Sequence, residues 1–164
     1  MTTHTSPPAD AAAGALAADH LFDVAIDFEP MQLQPSPLGT RIVAVVRSGV
    51  ATGPRFAGRV LPGGGDWLIV GSDGVARLDI RATLQADDGA LVNLTGAGRI
   101  WMEDPARERF LAGDAVQGDE LQAWTVPVFE TGAESHAWLN RSVAVGRVTE
   151  LGLDRISYQL YALR

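Results

Sequence analysis

Between residues 73 and 89 the chain places one strictly alternating segment between two Asp-Gly pairs, Asp73-Gly74 and Asp88-Gly89. Ala76, Leu78, Ile80, Ala82 and Leu84 fall on one face, and Arg77, Asp79, Arg81 and Thr83 on the other. Period-two alternation marks a strand with one buried face, and Asp-Gly is a strong two-residue hairpin signal. The feature therefore requires three consecutive antiparallel strands, so most of the chain must follow a β plan.

The rest of the sequence agrees. LFDVAIDF (21–28) alternates Phe22, Val24, Ile26 and Phe28 against polar or small residues. RIVAVVRSGVAT (41–52), FAGRVLP (56–62), DWLIVGS (66–72), ALVNLTGAGRIWM (90–102), QAWTVPVFET (122–131), SVAVGRVTEL and RISYQLYAL continue the pattern, cut by glycine and proline. FAGRVLP and DWLIVGS flank Gly63-Gly64-Gly65, which reads as a hairpin corner. The charged stretch 103–120 suits a short helix over a loop, and GAESHAWLNR a helical turn. About eight or nine strands follow one another with no recurring crossover helix, which excludes a parallel sheet. An antiparallel sheet of this length buries its apolar face by curling, so the expected fold is all-β: a closed or nearly closed barrel, with a two-sheet sandwich second.

The 164 residues suit one domain, expected over 19–164. Residues 1–18 are small, polar or proline-rich and read as a flexible tail. That start lacks the basic and apolar parts of a secretory leader, so the expected location is cytoplasmic. A net charge of −7 disfavours nucleic acid and anionic membranes as partners. The chain has no cysteine and no lysine, which removes thiolate nucleophiles, zinc ribbons, Schiff bases and a Walker lysine. The three histidines, His4, His20 and His136, are scattered; no metal and no cofactor is expected. The expected partner is a small organic ligand, and outward aromatic or β-branched faces are candidate homo-oligomer interfaces.

Three groups of residues are candidates for chemistry. Asp66 and Trp67, in LPGGGDW, either rim a pocket or simply hold a turn. Arg81 shares a strand face with Arg77 and Asp79, which either lines the barrel or meets solvent. Glu130 in FETG is a candidate general base near His136, Trp138 and Asn140, though it equally suits a turn cap. Asp66, Arg81 and Glu130 form the candidate catalytic set; Trp67, Trp124, His136, Trp138 and Asn140 form the candidate ligand wall. Aromatics such as Trp101, Tyr158 and Tyr161 either wall the same cavity or pack the core. Together these suit a cofactor-independent isomerase or cyclase; a non-catalytic binding or oligomerisation module is the alternative.

The segments LPGGGDW, ARLDIRATLQADDGA, FETG and AWLN, in register from about residue 21 to residue 164, resemble the bacterial domain-of-unknown-function family 3237. The resemblance implies a compact barrel of lipocalin-like or allene-oxide-cyclase-like appearance. It brings no established activity, so it implies no catalytic residue. Relatives tend to carry an aromatic-Phe-Arg element where Ala123, Trp124 and Thr125 stand here, so an arginine suited to an anionic ligand is missing.

Overall fold

The computed structural model describes residues 16–164. The expected tail thus lies, over residues 1–15, outside the described residues, and by Ala18 the chain is already in its first strand. In chain order the strands are β1 (Ala18–Phe28), β2 (Gln32–Ser36), β3 (Gly39–Thr52), β4 (Gly58–Val60), β5 (Gly65–Val70), β6 (Ala76–Ala86) and β7 (Leu91–Met102). Helix α1 (Asp104–Leu111), β8 (Val116–Gln117), β9 (Leu121–Glu130), a 3-10 segment (Glu134–Arg141), β10 (Ala144–Leu151) and β11 (Arg155–Leu163) complete the chain.

All strand pairings are antiparallel, and they close. Around the ring run β1, β11, β10, β9, β7, β6, then β4 and β5 sharing one position, then β3, which pairs back onto β1 from Asp23↔Thr52 to Phe28↔Val46. The molecule is a closed eight-stranded antiparallel barrel rather than a sandwich. Both Asp-Gly turns form as expected: Gly74 and Gly89 adopt φ of 73° and 87°. Asp73 and Asp88 accept the N–H groups of Val75 and Ala90 at 3.1 and 3.0 Å.

The triple glycine differs from expectation. β4 and β5 do not form a hairpin; both lie between β3 and β6 as one broken strand. The five steps from Val60 to Gly65 run against four on β3 (Gly49 to Val45) and three on β6 (Leu84 to Arg81). Residues 61–64 are therefore a bulge, the device that re-aims a strand inside a barrel. Glycine is required there: Gly63 has φ 96°, and a Cβ on Gly64 would stand 2.5 Å from the carbonyl oxygen of Arg81.

Inside the barrel, Phe22, Val24 and Ile26 of β1 meet Leu78 and Leu84 of β6, Val92 and Leu94 of β7, and Leu160 of β11, all buried. Phe22 stacks against Phe56 and Phe129, with ring centroids 4.8 and 6.1 Å apart. One end of the barrel is plugged by the 3-10 segment, whose Leu139 is fully buried. Asn140 holds this plug by pairing its amide with the N–H and C=O of Thr131, both at 2.8 Å. Asp88 binds it to the β6–β7 turn, accepting from Ser135 Oγ at 2.9 Å and meeting His136 Nε2 at 3.1 Å. Asp88→Ala is expected to lower Tm and to speed amide hydrogen exchange selectively over residues 134–141; uniform exchange rates would show that the plug is held by packing alone.

Candidate functional site

The other end of the barrel is open. A cavity of about 650 Å³ enters there, walled by Phe28, Met31, Leu68, Val70, Met102 and Phe110 among others. Helix α1 lies beside its mouth, as the charged stretch 103–120 suggested, contributing Phe110 and Leu111. Proline in the first turn suits the start of this helix, and Arg107 pairs with Asp104 at 2.5 Å. The volume falls within the range of pockets that enclose small organic ligands.

One layer deeper, a second space of about 40 Å³ lies inside the barrel, and Phe28 borders both. Stepping two residues along each strand moves from one space to the other: Leu68 and Ala76 wall the upper, Asp66 and Leu78 the lower. Mostly apolar residues surround the lower space; the exceptions are Asp66, Thr125, Tyr158 and Arg81, the last with its side chain on the outer face. Asp66 enters from β5 because the glycine bulge sets the parity of that strand. Between Asp66↔Ile80 and Ile69↔Arg77 the β5–β6 ladder is interrupted. There Asp66 Oδ1 takes the N–H of Asp79 at 2.9 Å, in place of a backbone carbonyl.

Burial pushes the Asp66 carboxyl up to about 6; the Asp79 N–H opposes this and the Asp79 carboxylate adds to it. Tyr158 is held strongly upward by burial first and by the neighbouring Asp66 charge second, so its phenol stays protonated at neutral pH. Thr125 is buried on β9, its Oγ1 lying against Gly146, where an added Cβ would approach to 2.3 Å. A carboxyl that titrates near neutrality beside a neutral hydroxyl can take and return a proton.

The candidate catalytic set does not converge. Asp66 faces inward, but the side chain of Arg81 is 68% exposed on the outer surface, 3.7 Å from Asp79. The face of Arg77, Asp79 and Arg81 is the solvated one, because its alternate residues Ala76, Leu78 and Leu84 fill the core. Glu130 ends β9 on the outer face opposite Asn93, away from Asp66. Trp67 also points outward, its carbonyl oxygen accepting from Arg41 at 2.9 Å. Trp124 is exposed on the outer face of β9 with Val126 and Val128. His136, Trp138 and Asn140 share the plug at the closed end rather than a mouth. His136 packs edge-on to Phe56, Trp138 lies 3.9 Å beneath the Arg55 guanidinium, and Asn140 is engaged by Thr131. No cluster of three or more histidine or acidic side chains suited to a metal occurs among the described residues.

Thr125 and Tyr158 are the site residues that reading the sequence missed as polar partners. The alternation Ile156, Tyr158, Leu160 in β11 carries the signal for Tyr158. No helix among the described residues is long and apolar enough to cross a membrane.

Comparison with known proteins places this geometry in a lineage. An uncharacterised UPF0311 protein from Clostridium acetobutylicum is 32% identical over 112 residues, covering 68% of this chain and 71% of that protein. The crystal structure of a conserved protein of unknown function from Rhodopseudomonas palustris shares 22% identity at a TM-score of 0.87, covering 93% of this chain and all of that one. A structure described as an enzyme from Penicillium herquei has the same fold at 18% identity and a TM-score of 0.68, covering the whole of both chains. The sequence model of the family described as Protein of unknown function (DUF3237) matches residues 16–163, and the chain belongs to that family.

Proposed function

We propose that the barrel binds a small, largely apolar organic molecule through its open end and that Asp66 moves a proton on it, without a cofactor. The supporting observation is the placement of a carboxyl titrating near 6 one layer below an apolar cavity of about 650 Å³. A carboxylate in this setting is a stronger base than one in water and is half-protonated near pH 6, which suits isomerisation or cyclisation. Arg81 and Glu130 have no part in this reading. A structure of this fold described as an enzyme from Penicillium herquei is consistent with this reading.

The test is solvent-deuterium incorporation into a panel of apolar ketones and phenols. Wild-type protein is expected to accelerate exchange into at least one compound, with a rate that rises with pH through about 6 as Asp66 ionises. Asp66→Asn should lose about 10²-fold or more of this rate while still binding the compound. Binding without exchange across the panel would leave a binding barrel and overturn the proton transfer.

A further inference from the structure

We propose that Asp66, Thr125 and Tyr158 form a subsite for a single neutral oxygen of the ligand, so that the molecule bound is a phenol or enol whose hydrocarbon body fills the upper cavity. This rests on the ligand-binding reading above and specifies its substrate class.

Size is the first argument. The lower space of about 40 Å³ holds roughly one water-sized group. A ring cannot enter it, but one oxygen on the end of a larger body can. The apolar cavity above takes that body, and Phe28 marks the boundary between the two.

Unsatisfied hydrogen bonding is the second. Tyr158 is 9% exposed, its ring lines the lower space, and its hydroxyl has no hydrogen-bond partner among the described residues. An unpaired hydroxyl that retains some accessible surface in so confined a space gains a hydrogen bond when a guest supplies one. Asp66 commits Oδ1 to the Asp79 N–H, which leaves its other oxygen for the guest. An O–H group satisfies both neighbours at once, since it accepts from Tyr158 and donates to Asp66.

Charge is the third. The remaining walls of the lower space include Ile26, Val46, Leu78, Ile80, Val148 and Ile156; Arg81 also borders it, but its side chain is 68% exposed on the outward-facing side of β6. With the Arg81 guanidinium paired toward Asp79 at the exposed surface, an anionic head group in the lower space would lack a buried counter-charge and would be repelled by Asp66. The oxygen accepted is therefore neutral.

The experiment compares 2-naphthol, naphthalene and 2-naphthoate as probes in fluorescence titrations at pH 7. Wild-type protein should bind 2-naphthol about tenfold tighter than naphthalene, and 2-naphthoate more weakly than 2-naphthol. Tyr158→Phe should leave naphthalene affinity unchanged and bring 2-naphthol to within about twofold of it, as expected when one hydrogen bond is removed. Thr125→Val gives an independent reading of the same layer should Tyr158→Phe fail to fold. Equal affinity for naphthol and naphthalene in the wild type overturns the subsite while leaving the cavity reading intact. An equal loss of both probes in Tyr158→Phe does the same, since it would assign Tyr158 to packing. If no probe binds, the cavity reading fails along with the subsite.

Discussion

Replacing Phe22 with alanine is expected to destabilise the barrel by about 3–5 kcal/mol. Phe22 has no exposed surface and lies between Phe56 and Phe129, so it joins β1, the β3–β4 connection and β9. Truncation leaves a cavity that the closed ring cannot collapse around, because each strand is held on both sides. Small domains have only about 5–15 kcal/mol of net stability, so the loss should lower Tm by roughly 10 °C or more. Urea and thermal unfolding measure it directly. A loss below about 1 kcal/mol would show that the three rings are not the packing centre of the plugged end.

Asp66→Asn is expected to stabilise the protein, and only above the acid range. The folded state holds the Asp66 proton up to about pH 6, whereas an unburied aspartate releases it near 3.8. Between those values the folded state binds more proton than the unfolded one, so stability declines as pH rises, and the loss is complete above about 6. Asparagine keeps an oxygen for the Asp79 N–H without the buried charge. The variant should therefore gain up to about 3 kcal/mol at pH 8 and almost nothing at pH 4. Equal shifts at both pH values would mean that the carboxyl is not desolvated. Together with the exchange experiment, this pictures a site residue that weakens the fold in order to act on a ligand.

Much of this architecture was legible in advance. The strand at 76–86 and both Asp-Gly turns follow from alternation and turn chemistry, which are local. The glycine bulge was not, because residues 61–64 take their meaning from their register against β3 on one side and β6 on the other, which only the paired sheet reveals. Lacking that register, Gly63-Gly64-Gly65 reads as a reversal. Glu130 was misplaced for another reason. Both faces of β9 are rich in apolar residues, Ala123, Pro127 and Phe129 inside and Trp124, Val126 and Val128 outside, so period two separates the faces without saying which is buried. Thr125 and Tyr158 were obscured because each continues an inward apolar row, and their polar atoms become conspicuous only when several strands bring them beside Asp66. The outward face of Arg81 follows directly from the apolar row of Leu78, Ile80 and Ala82 that it alternates with.

The ring closes through β1, which pairs with β3 on one side and β11 on the other. During synthesis, then, residues 18–28 emerge long before half of their partners, residues 155–163. Until then both β1 and β10 carry an open edge, a template for pairing with neighbouring chains. Barrel completion is thus a long-range event of the slow kind, expected on the millisecond-to-second scale once residues 155–163 are available. Chaperone shielding of those open edges should therefore raise the yield of folded protein more than any change to its already well-packed interior.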